Sequence, residues 1–224
     1  MSATYHFSSK ALIRSCPLPA SMISYKGQTN NSLTVTAEKI EPLSAYLKRY
    51  KKHLEYEVME SFIASVGRQL QYLERENMGV ASFNIDDITV FHSSDTDATT
   101  VHFAITNEDK IHEINEENQL VINVPYLKEY TNTATTTTKN KGFHSPEFKE
   151  FISKKTVPYE IHFKSGYYSF GLLCLYCYVS RGPAAAPAAA AVDDILAPII
   201  NTKIYWFLMQ VLQENPTSRR YICV

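Results

Sequence analysis

KSGYYSFGLLCLYCYV, running from Lys164 to Val179, decides how this chain is read. From Phe170 onward it is apolar almost all round, broken in bulk only by Gly171 and two small thiols. A helix that is hydrophobic on every face is buried instead of lying on a surface. The apolar run is well short of the roughly 20 residues needed to cross a bilayer. The stretch therefore predicts the central helix of a globular domain, started by the polar turn Lys164, Ser165, Gly166 and stopped at Gly182-Pro183.

Composition narrows the function classes. With 224 residues the chain is long enough for one domain with a sizeable core. Its net charge is −1, so no global field recruits nucleic acid or an anionic membrane. Only 7 glycines are present, and neither GxGxxG nor GxxxxGK[ST] occurs, so no phosphate-cradling loop is predicted. HExxH and GxSxG are also missing, and the 7 histidines are scattered. No cofactor and no metal site follow from the residues. The N-terminus MSATYHFSSK lacks the apolar stretch of a signal peptide, which predicts an intracellular protein. Cys16, Cys174, Cys177 and Cys223 are then expected as thiols. Cys174 and Cys177 form a CxxC, but mid-helix and without a second pair they read as small core residues.

Outward from the central helix, residues 1–20 show little periodicity, with Pro17 and Pro19 breaking any helix. Met22–Lys26 and Leu33–Lys39 predict two short strands, and Pro42 opens a helix through Tyr56. The basic residues Lys48, Arg49, Lys51 and Lys52 on it read as a solvated face. Glu57–Asn77 carries Phe62, Ile63, Val66, Leu70 and Leu73 at helical spacing, with Gly79 as its stop. Ala81–Phe83, Ile88–Phe91 and Val101–Ile105 are short alternating runs that predict a small hairpin joined by the polar loop Ser93–Thr99. Residues 106–142 read as one long irregular insert, and its Thr-rich part, 131–138, cannot bury enough apolar surface to order itself. A short helix is expected at Glu147–Ser153. Residues 182–192 form a low-complexity Ala/Pro spacer, followed by helices at Asp193–Ile200 and Lys203–Gln213.

Taken in order, these pieces resemble the C-terminal lobe of a eukaryotic-type protein kinase. Leu33–Lys39 with Glu41-Pro42-Leu43 resembles the hinge strand and the helix after it. Phe83–Phe91, FNIDDITVF, resembles the catalytic loop and the strand that follows. Ser145-Pro146-Glu147 resembles the Ala-Pro-Glu motif, and Tyr168-Ser169-Phe170-Gly171 the start of the family's central helix. Leu212–Arg219 resembles the closing helix that supplies an arginine. The degenerate style is similar to kinase-like proteins of large DNA viruses. The resemblance implies an α+β, mainly α-helical fold, a kinase-like C-terminal lobe over residues 41–224 with inserts at 106–142 and 182–192. It leaves residues 1–40 as an N-terminal segment with remnant strands, at most a remnant of the N-terminal lobe.

The same resemblance implies lost catalysis. A kinase needs a phosphate loop, a strand lysine, a catalytic-loop Asp and Asn, and a metal-binding Asp. Ser82 stands at the catalytic Asp, Asn84 at the loop lysine and Asp87 at the Asn, and Gly166 replaces the Asp that begins the central helix. Asp86-Asp87, read on its own, is a turn in which Asp bonds its own backbone. Glu147 and Arg219 are the survivors, a structural ion pair in the family. The expectation is therefore a pseudokinase: a catalytically inactive scaffold acting through protein–protein contacts, in the cytoplasm. The alternative is a structural component of an assembly such as a virion; an active kinase is the remaining reading. Contact is expected through the 106–142 segment and a face of Phe83, Ile88, Phe91, Val101 and Phe103, uncovered by loss of the N-terminal lobe unless residues 1–21 fold back to cap it. Its partners would be other proteins, with no nucleic acid and no membrane span.

Overall fold

Leu33-Thr34-Val35-Thr36 alternates large apolar and β-branched polar residues, a pattern that suits a half-buried strand. In the computed structural model this stretch lies in β3 (Ser32–Ala37), the middle strand of an antiparallel sheet ordered β1-β3-β2. Its neighbours are β1 (Ala3–Phe7) and β2 (Ile23–Lys26). Tyr5 lies opposite Val35 and Phe7 opposite Leu33. The structure describes residues 2–26, 32–49, 53–93, 100–123, 142–178 and 196–221. Helix α1 (Lys10–Ser15) connects β1 to β2 and buries Leu12 and Ile13.

A second antiparallel sheet, β4-β6-β7, joins Lys39–Pro42 (β4), Ile88–Ser93 (β6) and Thr100–Ile105 (β7). β6 is buried along its whole length, which explains its unalternating sequence ITVFHS. Glu41 on β4 accepts a hydrogen bond from, or shares a proton with, His92 Nε2 at 2.8 Å and pairs with Lys39 at 3.1 Å and with Arg49. That carboxylate ties β4 to β6 and to helix α2 (Leu43–Arg49). α2 is shorter than the sequence predicts, because residues 53–55 leave the helical path before α3 begins.

Helix α3 (Tyr56–Arg75) buries Phe62, Ile63, Val66, Leu70 and Leu73, the spacing that marks it in the sequence. Its left-handed residue is Asn77 (φ 55°), not Gly79, which lies in β5 (Met78–Val80). β5 pairs with β8 (Ile111–Glu113), and β9 (Gln119–Ile122) with β10 (Tyr159–His162). Helices α4 (Pro146–Lys154), α5 (Ser165–Tyr178) and α6 (Lys203–Val211) complete the frame. α5 is the expected central helix. Its Phe170 ring meets Phe62 of α3 at 5.3 Å and Phe83 and Phe207 each at 5.9 Å.

Two expectations are corrected. The fold is mixed α/β, with ten strands in four small antiparallel sheets among the described residues, and not a mainly α-helical, kinase-like C-terminal lobe. The excess strand comes from residues 2–42, 78–80, 106–123 and 159–162, which the sequence pattern undercounts. In the N-terminal segment, Phe7, Leu12, Ile13, Leu33 and Val35 share one apolar core with α3, α5 and α6. Finally, 106–142 is not one irregular insert, since β8 and β9 lie within it. The Thr-rich tract 131–138 and the whole of 182–192 lie outside the described residues. Among the described residues, no helix is long and apolar enough to cross a membrane.

Candidate functional site

The apolar helix α5 carries two serines one turn apart, Ser165 and Ser169, and both are fully buried. Ser165 Oγ donates to the Ala81 carbonyl at 2.9 Å, so its own proton is committed there. Ser145 Oγ, 2.6 Å away, must then donate to Ser165 Oγ, while accepting the Phe148 N–H at 3.2 Å as the N-cap of α4. Ser169 Oγ accepts the Phe83 N–H at 2.7 Å and donates to the Phe143 carbonyl. These hydroxyls pair backbone groups of the 81–83 segment that would otherwise be buried without partners. Gly166 lies between them because a Cβ there would overlap the Val80 carbonyl oxygen.

Glu147 and Arg219 meet. Arg219 Nη1 and Nη2 each donate to one Glu147 carboxylate oxygen, the second at 3.0 Å, a bidentate arrangement. Arg219 is 0% exposed and Glu147 18%. The remaining donors go to backbone carbonyls: Nε to Gln213 at 2.7 Å, Nη1 to Lys164 at 3.2 Å and Nη2 to Glu214 at 2.9 Å. All five N–H donors of the guanidinium are thereby used. Its plane also sits 4.8 Å from the Tyr168 ring centre. This centre links α4, the start of α5 and the chain after α6, and it is structural.

Ser82, Asn84 and Asp87, the positions that the resemblance singles out, are wholly or partly buried. Ser82 is fully buried. Asp87 is buried too, and its two oxygens accept the Asn84 N–H and the Asn107 Nδ2–H, both at 2.7 Å. A carboxylate held on both oxygens from inside the chain is a turn brace, closing the 3₁₀ turn Ile85–Asp87. Asp86 is exposed. Nearby, Lys110 is fully buried, and burial together with its charge pushes the imidazoles of His112 and His144 down to about 4. Both rings are neutral at pH 7. No group of three or more His, Cys, Asp or Glu that could hold a metal occurs among the described residues. Burial raises the Cys174 and Cys177 thiols, as expected of core cysteines and not of a redox pair.

The predicted contact face is not a surface. Phe83, Ile88, Phe91 and Phe103 are each 0% exposed, and only Val101 is partly open. The N-terminal segment covers the face: the Tyr5 and Phe7 rings lie 5.8 and 6.5 Å from Phe91, and Tyr5 Oη donates to the Thr106 carbonyl at 3.4 Å. α3 covers the other side, with Phe62 4.9 Å from Phe103. The fold-back of residues 1–21 is what forms. A β-strand of five residues suffices because β3 supplies its hydrogen bonds.

The exposed large apolar side chains lie elsewhere. Among the described residues they are Tyr56 (37%), Ile200 (55%) and Trp206 (51%). Tyr56 reaches Thr202, the N-cap of α6, and Ile200 and Trp206 stand two residues before it and four after it in the chain. The Tyr56 hydroxyl hydrogen-bonds the Thr202 side chain and the Lys203 backbone, and the Trp206 backbone N–H donates to the Thr202 carbonyl at 3.1 Å as the first turn of α6 closes. Sequence periodicity had the signal for this site: Ile204, Phe207, Leu208 and Val211 fill the buried face, which leaves Trp206 out of phase and outward.

No known family matches this chain when it is compared with family models, and no curated protein sequence matches it.

Proposed function

We propose that this protein is non-catalytic and works through protein–protein contact, as a scaffold or as a subunit of a larger assembly. One observation carries the reading: the exposed Tyr56, Ile200 and Trp206 belong to segments that meet at Thr202, Tyr56 through its hydrogen bond there and the other two within four residues of it in the chain. Isolated exposed apolar residues need no explanation, but clustered aromatic ones mark contact surfaces, where Trp and Tyr supply much of the binding energy. The non-catalytic reading is supported by Ser82 and Asp87, both buried, with both Asp87 oxygens accepting hydrogen bonds from inside the chain.

Two measurements test it. A thermal-shift titration with ATP and magnesium is expected to leave the melting temperature unchanged. A ligand at 100 times its Kd would add about 2.7 kcal/mol, so a magnesium-dependent rise sinks the non-catalytic reading. A photo-crosslinking residue placed at position 206 should capture protein, whereas one at exposed Arg68 on the middle of α3 should not. Equal yields at the two positions would remove the contact surface from the argument.

A further inference from the structure

The two-stranded sheet of β9 and β10 has an open edge. Tyr159 lies opposite Ile122 and Ile161 opposite Leu120, and in the same frame the Phe163 N–H donates to the Asn118 carbonyl at 3.1 Å. Hydrogen-bonded and non-hydrogen-bonded pairs alternate along an antiparallel ladder, so Tyr159, Ile161 and Phe163 turn their backbone groups toward β9. The N–H and C=O groups of Glu160 and His162 point away from it, and no backbone hydrogen bond among the described residues engages them. The far side of β9 is closed instead: the Gln119 carbonyl accepts the Asn115 N–H at 2.9 Å, and its N–H donates to Asn115 Oδ1 at 2.8 Å. Two strands alone make a marginal sheet, and an open edge is a template for another strand. Side chains alternate along β10. Tyr159, Ile161 and Phe163 pack on the small apolar cluster of Leu120, Phe148 and Phe151, with Ile161 buried and the two aromatic rings half-exposed. Glu160, exposed, and His162, half-buried, share the other face. Burial and the neighbouring Lys164 lower the His162 pKa, so its ring is neutral at pH 7. His162 Nδ1 accepts the Lys164 N–H at 3.2 Å, which leaves the proton on Nε2 as a donor.

We infer that the open edge of β10 pairs with β10 of a second copy of this chain, antiparallel and centred on Ile161, to make one four-stranded sheet. The sequence Tyr159-Glu160-Ile161-His162-Phe163 selects this partner because it is complementary to its own reverse. Only Glu160 and His162 offer outward backbone groups, so the bonded pairs must be made between them. Centring on Ile161 sets Glu160 opposite the second copy's His162, twice over, and each pair exchanges both of its backbone bonds. The same two side chains then face each other, His162 Nε2–H toward the Glu160 carboxylate. On the inner face Tyr159 meets the second copy's Phe163, also twice, an aromatic cross-strand pair. A slip of two residues one way sets Glu160 against Glu160 and brings Pro158, which has no N–H, opposite His162; a slip the other way sets His162 against His162. In a two-fold contact residue i meets j and j meets i, which only the centred register satisfies with unlike partners. The contact is a single short strand, well below the roughly 800 Å² per partner of a standard interface, so association is weak and reversible. It lies on a different part of the surface from Trp206 and goes beyond the contact function proposed above.

The test is sedimentation equilibrium on the full chain. Weight-average mass should climb from 25.5 kDa toward twice that value as the protein is concentrated. Amide exchange followed by NMR should slow at Glu160 and His162 over the same concentrations, while Ile161, already bonded to β9, stays unchanged. Glu160→Pro removes an outward N–H from each edge, leaves the bonds to β9 in place, and should abolish the rise. Glu160→Lys and His162→Glu should each weaken association about ten-fold, because each spoils both outer pairs. A mixture of those two variants decides the matter even if the proline variant fails to fold. In the mixed dimer one outer pair is native and the other joins opposite charges, so association should return at least to the wild-type level. A chain that stays monomeric at every concentration, a dimer indifferent to Glu160→Pro, or a mixture no better than either variant alone overturns the pairing. Crosslinking from position 206 is read separately, so the contact function can stand where this dimer fails.

Discussion

Replacing Arg219 with alanine strikes the most densely bonded side chain described in the protein. The change removes five donors at once and strands the Glu147 carboxylate together with the carbonyls of Lys164, Gln213 and Glu214. Breaking a buried pair from one side costs about 3–5 kcal/mol, mostly because a charge is left inside without its partner. Arg219→Ala belongs near the upper end of that range, since three backbone acceptors lose their donors too. Glu147→Ala belongs near the lower end: its carboxylate is partly in solvent, and Arg219 keeps the three carbonyls. A chain of this size loses roughly 2–4 °C of Tm per kcal/mol, so Arg219→Ala should melt some 8–20 °C lower. Urea denaturation of both single variants and the double then measures their coupling. The double should lose less than the two singles combined, by about 1–3 kcal/mol. Arg219→Lys should rescue little, because an ammonium cannot reproduce the fork. Singles costing under about 1 kcal/mol and adding simply would refute the view that this pair closes the lower part of the fold.

Three further expectations follow from packing and charge. His112 and His144 are held neutral in the fold to about pH 4 but titrate near 6.5 when unfolded, so the unfolded chain binds more protons between those values. Stability should be full above pH 6.5 and decline as pH falls toward 4; a urea midpoint that is flat from pH 7 to 4.5 contradicts this. Gly166→Ala drives a methyl into the Val80 carbonyl, whereas Gly171→Ala meets only the side chains of Val211 and Leu212. The first should exceed the roughly 1–3 kcal/mol of ordinary overpacking and the second should fall within it, and thermal melts giving the reverse order would count against the described helix position. Deleting residues 2–8 removes the Tyr5 and Phe7 rings from Phe91 and should turn the protein sticky, with strong binding of a hydrophobic dye; a truncated protein that stays monomeric and dye-silent would show that β1 is dispensable.

The sequence made some of this legible and hid the rest for physical reasons. The central helix, expected at 164–179, spans Ser165–Tyr178, because a run apolar on all sides has no stable place except the core. The hairpin of β6 and β7 was equally plain from its β-branched runs. β1 was not, since ATYHF alternates over only five residues and owes its order to pairing with β3, a tertiary effect. β8 and β9 are too short for periodicity, yet a turn signal lay between them: Asn115 Oδ1 accepts the N–H groups of Glu117 and Gln119, and Asn118 is left-handed. The meeting of Glu147 with Arg219 came from the family resemblance and could not have come from spacing. The contact face was misplaced because a single sequence says which residues are apolar but not which segment covers them. Cys174 and Cys177 fell where composition put them, inside.

The serines of α5 bear on how the chain settles on one structure among many. A helix equally greasy on every side could be turned about its own axis with little change in buried apolar area, so the hydrophobic effect alone leaves its rotation degenerate. Ser165 and Ser169 lift that degeneracy, because only one azimuth brings both hydroxyls onto the 81–83 and 143 backbone. Gly166 and Gly171 act in the same sense, admitting Val80 on one side and Val211 on the other. Replacing both serines with alanine should therefore blur more than it weakens. The expected signature is broadened core methyl resonances from a helix sampling several rotations, in a protein that still unfolds cooperatively.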